Sequence, residues 1–250
     1  MSETLAAVRA EFIKMRRIRS TFLALLLFVP LSVLIGALDG WSAKSAIDSD
    51  NGMIRDGFTA QQAGLDGILY GQLALIVFGV LVVSSEYASG MMRVSLLAVP
   101  RRGRLYAAKL TVTAAAALLV AIPVTVVGYL ATQAALGPHG ASITSDGVPR
   151  ALAGAVLYLT LMSLFAAGVA AAARSAVVPL AVMLPMVLAG SQILSVIGAT
   201  KEVARYFPDR AGTQMLTIDS GDAVRGCAVL LVWTAAALVL GFVRHRRWDV

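Results

Sequence analysis

Residues 86–104 read EYASGMMRVSLLAVPRRGR, a charged and glycine-notched stretch set between two uncharged runs. Gly67 to Ser85 precedes it and Leu110 to Leu136 follows, neither holding an Asp, Glu, Lys or Arg. About 20 apolar residues suffice for a helix to cross the hydrocarbon core. The stretch therefore reads as a loop on one membrane face, and the rest of the chain is placed outward from it.

Composition agrees with a bilayer as solvent. Of 250 residues, 58% are hydrophobic and 14% charged, against about 25% charged in soluble domains. Gly and Ala are abundant, as helices packed closely in lipid require. The single cysteine, Cys227, excludes an internal disulfide framework and a thiolate metal cluster. A net charge of +7 would suit nucleic acid if gathered in one patch, but the basic residues lie between apolar runs. No nucleic-acid partner is expected.

The uncharged runs predict an all-α integral membrane protein, one transmembrane domain over 1–250. After an N-terminal segment at 1–19, the six expected spans are 20–38, 67–85, 110–136, 151–173, 175–200 and 226–243. Six spans put both termini on one side. SAKSA at 42–46 has the small residues of a signal-peptidase site. The long basic segment before the first run, and the five spans after it, favour a retained helix.

Orientation follows from Lys and Arg in the flanks. One side holds fourteen: Arg9, Lys14, Arg16, Arg17, Arg19, Arg93, Arg101, Arg102, Arg104, Lys109, Arg174, Arg244, Arg246 and Arg247. The other holds seven: Lys44, Arg55, Arg150, Lys201, Arg205, Arg210 and Arg225. Acids run the opposite way, with Asp39, Asp48, Asp50, Asp56 and Asp66 all in the first outer loop. Both termini are expected in the cytoplasm, across a bacterial-type cytoplasmic membrane.

Within 4–19, TLAAVRAEFIKMRRIR, Leu5, Val8, Phe12 and Met15 recur at steps of three and four. Arg9, Lys14, Arg16 and Arg17 take other faces. That pattern predicts an amphipathic interfacial helix with basic groups available to anionic headgroups; an ordinary positive-inside anchor has the same composition.

In the opening stretch, Glu86, Gly90 and Arg93 share one helical face by spacing, and Met92, Leu96 and Val99 form an apolar stripe. Pro100 ends the helix, lacking the amide hydrogen another turn would use. The combination suggests a docking surface. Simpler roles exist. A Glu at a helix start is favoured by the dipole by about 0.3–1 kcal/mol, Ser84 or Ser85 suits a cap, and lipid phosphate suits Arg93.

The N-terminal amphipathic helix, six spans and Glu-x-x-x-Gly helix after span two together resemble the permease subunits of type-2 ABC transporters. That family commonly shows Glu-Tyr-x-x-Gly-x-x-Arg, then a Pro, basic residues and a Lys entering span three. Here these are Glu86, Tyr87, Gly90, Arg93, Pro100, Arg101, Arg102, Arg104 and Lys109. The Arg174-Ser175 turn is similar too, and YFPDRAG at 206–212 looks like the family's Tyr-x-Pro segment. The resemblance covers nearly the whole chain.

It implies a coupling helix packed against a separate ATPase subunit. Glu86, Tyr87, Gly90, Arg93, Arg101 and Arg102 would be the ATPase-coupling residues, with Gly90 allowing close approach. Two ATPase subunits would carry ATP and Mg, and a second permease chain, identical or related, would complete the path. The segment 201–222 is expected to form short helices dipping back against the spans, separated at Pro208.

Several activities are disfavoured. No G-x-x-x-x-G-K-[ST] phosphate loop occurs, so no ATP site of that kind and no cofactor is expected in this chain. His139 and His245 flank opposite ends, which removes a histidine metal or catalytic cluster. Gly190-Ser191 in span five has no membrane histidine to activate the hydroxyl. Carboxylates are missing from the span interiors, which weakens an ion-coupled carrier. The chain reads as a permease, not an enzyme.

Gln72, Tyr129, Tyr158, Met162, Phe165, Met183 and Gln192 are candidates for the wall of a path taking an amphipathic or hydrophobic cargo such as a drug, antibiotic peptide or lipid-like molecule. Interhelical hydrogen bonding and core packing explain the same residues. Pro30, Pro123, Pro179 and Pro185 are candidate kinks. An ATP-independent secondary carrier, and a sensor or immunity protein that binds a ligand without moving it, stay open at this level.

Overall fold

Residues 3–49, 57–98, 101–198, 200–218 and 221–246 are described by the structure, a computed structural model. Helices are its only regular elements among them, as expected where every backbone polar group must be satisfied within lipid. The chain runs α1 (Glu3–Arg17), α2 (Arg19–Asp48), α3 (Ala60–Ala88), α4 (Met91–Ala98), α5 (Arg102–Leu136) and α6 (Val148–Ala173). It continues with α7 (Val177–Pro185), a π-turn at Met186–Gly190, α8 (Ser191–Val196), α9 (Lys201–Ala204), α10 (Pro208–Thr213) and α11 (Ala223–Arg246).

Six helical stretches are long and apolar enough to cross a membrane: α2, α3, α5, α6, the α7–α8 unit and α11. Most overrun the expected spans. The sequence reading stopped α2 at the first charge, Asp39, yet the helix runs on through Asp48. A charge ends a hydrophobic run without ending a helix, because hydrogen bonding continues in water or headgroups. For the same reason α3 starts at Ala60, where Thr59 accepts from the amide of Gln62 at 3.3 Å.

Helices α3 and α6 form the centre, with 72% of each one's most apolar stretch buried, against 17% for α7–α8. Their contact is made possible by glycine. A methyl group on Gly79 would lie 2.1 Å from the carbonyl oxygen of Ser163, and one on Gly67 would lie 2.6 Å from the α-carbon of Gly36 in α2. Backbones this close exclude any side chain at those points. Phe28, Phe78, Leu75, Leu159 and Met162 fill the space around them.

Of the four candidate kinks, only Pro185 coincides with a change of helix type. It ends α7, and the next five residues form the π-turn, in which the Ser191 amide donates to the Met186 carbonyl. A proline at this point withholds one ladder hydrogen bond and so favours re-registration. Pro30 and Pro123 lie within unbroken α2 and α5. Pro179 sits in the first turn of α7, where an amide hydrogen has no partner anyway.

The segment between spans five and six forms short helices, as expected. Pro208 opens α10 after the chain leaves α9, and Ala211, Met215 and Leu216 are buried. Gly212 lies against the ring of Tyr158 in α6, and the Trp233 indole donates to the Tyr206 carbonyl at 2.8 Å. At the opposite end, called the base here, α1, α4 and the C-terminus of α11 gather around the start of α5.

Candidate functional site

The base is organised by a buried ring of charge. Glu11 of α1 meets Lys14 at 2.5 Å and Lys109 of α5 at 2.6 Å. Glu86 of α3 meets Lys14 at 3.0 Å and Lys109 at 2.9 Å. Two acids and two bases thus alternate, and Lys14 also donates to Ser95 of α4 at 2.8 Å. One ring of contacts ties four helices together. The carboxylates are almost fully buried and Lys109 is 3% exposed. For Lys14, burial works against the charge, but its hydrogen bond to Glu11 and the charges of Glu86 and Glu11 hold the ammonium above its ordinary value.

Glu86, one of the expected coupling residues, is thus a member of this ring. It sits in the last turn of α3 rather than at a helix start, where the dipole opposes a carboxylate. Its partners are inside the chain, and its Oε2 has none among the described residues. Ser84 and Ser85, expected as caps, are interior to α3. Gly90 does not share a continuous helical face with Glu86. It has a positive φ of 70° and separates α3 from α4, a backbone turn that glycine adopts freely.

The remaining stretch is divided. Tyr87 is half-buried, its hydroxyl 3.2 Å from Nδ1 of His245. Arg101 is exposed at the N-cap of α5, and Arg102 donates to the Arg246 carbonyl at 2.6 Å. Arg174, left-handed at the end of α6, donates to the Arg244 carbonyl at 2.5 Å. These two guanidiniums cap the C-terminus of α11, where cations are favoured. Pro100 and Val99, and the side chains of Arg93 and Leu96, lie outside the described residues.

α4 has two sides. Met92 and Ser95 are buried against the bundle, whereas Met91, Val94 and Leu97 turn outward, Leu97 being 83% exposed. These three outward side chains, among those described, are apolar. Sequence reading picked out the charged residues instead, and missed Glu11, Lys14, Ser95 and Lys109 as one cluster. The signal available was Glu11 and Lys14 one turn apart within an otherwise basic helix.

At the far end, a cavity of about 830 Å³ lies between α2, α3, the π-turn, α8 and α10. Gln72 and Gln192 line it. The other candidate path residues are packed elsewhere. Tyr129 is fully buried with its hydroxyl on the Ser142 carbonyl at 3.3 Å. Tyr158 donates to Gln72 and is fully buried. Met162, Phe165 and Met183 belong to the central core, with Phe165 edge-on to Trp233 at 6.1 Å. Mid-span polarity marks helix contacts as readily as a lumen, so spacing alone does not separate them. Asp209, which also lines the cavity, went unnoticed because it lies outside every span in sequence.

Among the described residues no cluster of His, Cys, Asp and Glu has metal-binding geometry. The base ring, the apolar outward face of α4 and six crossing helices are instead the parts of a membrane subunit. A sequence model of the ABC-2 family transporter proteins matches residues 7–197. The chain belongs to the ABC-2 transporter family. The match runs from α1 to the end of the fifth span, and α9 to α11 lie beyond it. No curated protein matches the chain significantly. As an ABC-2 membrane protein it is a permease of an ABC transporter, a class that works with an ATPase partner.

Proposed function

We propose that this ABC-2 permease is the membrane subunit of an ATP-driven exporter, with α4 as the helix that couples it to the ATPase. The observation that carries this reading is the division of α4: Met92 and Ser95 hold it to the body while the apolar side chains of Met91, Val94 and Leu97 turn outward at the base.

On this reading the base faces the cytoplasm of a bacterial-type cytoplasmic membrane, in keeping with the fourteen-to-seven excess of Lys and Arg on that side. The exposed Leu5 and Phe12 of α1 would meet lipid at the interface. Two permease chains, identical or related, enclose the path. Two ATPase subunits supply ATP and Mg chemistry, and their closure moves α4. Because Ser95 bonds Lys14 within the charge ring, displacement of α4 is felt by α1, α3 and α5 together. That biases an inward-facing state toward an outward-facing one. The cargo is amphipathic or hydrophobic, consistent with a far-end cavity walled by both carboxylates and apolar side chains.

The test is recovery of the cognate ATPase with the tagged permease, with ATP hydrolysis measured in nanodiscs. Val94→Asp and Leu97→Asp should insert normally yet lose most of the ATPase, since a new charge is desolvated on docking. Wild-type recovery and stimulation in both variants would remove α4 from the interface.

A further inference from the structure

The far-end cavity has a chemistry that the transporter reading does not specify. Among the described residues its lining carries three carboxylates, Asp39 and Asp66 from α2 and α3 and Asp209 from α10, and one guanidinium, Arg210. That guanidinium is engaged with the Gln192 side chain at 3.0 Å and the Ser195 hydroxyl at 2.6 Å. Lys201 and Arg205 gather with Arg210 around a smaller adjoining hollow of about 340 Å³. Arg210 lines both spaces, and among the described residues all three carboxylates belong to the larger one.

Asp209 is the unusual member. Its carboxyl is only 4% exposed. Oδ2 accepts from the Ser191 hydroxyl, but Oδ1 has no partner among the described residues. Burial pushes this carboxyl above its ordinary value, and the Ser191 hydrogen bond, the backbone amides of Arg210 and Asp209 and the Arg210 charge only partly offset it. A carboxylate kept this dry, with one oxygen lacking a well-aligned donor, is costly unless a cation arrives to meet it.

Among the described residues the carboxylates do not converge as a metal site would require. A volume near 830 Å³ is in the range of drug-sized ligand sites, about 300–1,000 Å³. Phe58, Tyr70, Leu73 and Val187 supply apolar and aromatic walls, and aromatic faces attract organic cations. We propose that this cavity binds an apolar organic cation, with Asp209 as its counter-ion. The inference rests on the permease reading and names the class of cargo that reading leaves open.

The probe is tetraphenylphosphonium, with the isosteric anion tetraphenylborate as its comparison. Each is dialysed to equilibrium against the full chain in nanodiscs, with empty discs subtracted. The cation should bind saturably and the anion should not. Asp209→Asn keeps an acceptor for Ser191 and should weaken cation binding at least roughly ten-fold. Leu73→Trp, which fills the cavity without touching a charge, should do the same. Equal saturable binding of the anion overturns the proposal. So does wild-type cation affinity in Asp209→Asn, or in Leu73→Trp if the former fails to insert. ATPase recovery and stimulation are measured in parallel without any cation. A coupled permease with no saturable cation binding overturns the cation site alone, whereas a chain that recruits no ATPase overturns the transporter reading alone.

Discussion

Lys109 shows what single residues contribute at the base. Its ammonium is buried between Glu11 and Glu86 at 2.6 and 2.9 Å. Removing it leaves two carboxylates sharing Lys14, and an uncompensated buried charge costs about 3–5 kcal/mol. Lys109→Met should therefore lower thermal stability in detergent sharply. Lys109→Met combined with Glu86→Gln should recover much of the loss, because the removed charges cancel. Equal melting temperatures for the single variant and wild type would mean that the ring contributes nothing. Lys14 adds a pH signature. Its folded pKa lies above the ordinary 10.5, so its stabilisation is complete below that value and disappears as pH rises through the folded pKa. Protection factors in α1, corrected for the base-catalysed intrinsic rate, should accordingly hold to pH 10 and fall only beyond about 10.5. Gly90 is a separate matter of backbone. Among the described residues nothing lies within 4 Å of an added β-carbon, but φ is 70°. Gly90→Ala and Gly90→Trp should thus cost the isolated chain about the same, on the order of 1–2 kcal/mol, and Gly90→Asn less. A loss of ATPase recovery in Gly90→Trp beyond that in Gly90→Ala would then report the partner's surface. Identical recovery would place no notch there.

Elements show how a short segment is held. α10 has six residues, far too few to persist alone in water. It survives because Ala211 and Gly212 are buried, with Gly212 on the Tyr158 ring and a methyl at Gly226 of α11 only 2.1 Å from the Ala211 carbonyl oxygen. Pro208 at its first position lacks an amide that would go unbonded. Exchange should consequently be slow at Ala211, Gly212 and Met215 and fast at Glu202 and Val203 of exposed α9. Rapid, uniform exchange across 201–222 would contradict the docked arrangement. The π-turn positions a neighbour of this segment. By re-registering the helix after Pro185, it turns Ser191 toward Asp209.

At the scale of the whole molecule, topology is the property to measure. Ser49, Ser142 and Ser89 are all exposed, the first two at the far end and the third at the base. Cysteines at positions 49 and 142 should react with an impermeant thiol reagent applied to intact cells, and one at 89 should not, once Cys227 is replaced. Labelling at 89 from outside would invert the chain in the membrane and remove α4 from any cytoplasmic ATPase.

The sequence by itself determined the solvent, the number of crossings and the excess of positive charge on one side. Each depends on long uncharged runs and on flanking Lys and Arg, which are additive properties of composition along the chain. Short terminal and loop helices were also legible where periodicity or Pro208 marked them. What a given polar residue meets depended on tertiary structure. Glu86, eight residues from Val94 in sequence, turned inward to charges from α1 and α5, while Val94 remained 66% exposed. Tyr129 and Met162 proved to be helix contacts, and Asp209 reached the cavity from a loop. In lipid, apolar residues cover every face of a helix, so hydrophobic periodicity no longer separates inside from outside. Only the packing of neighbouring helices decides which face carries the chemistry.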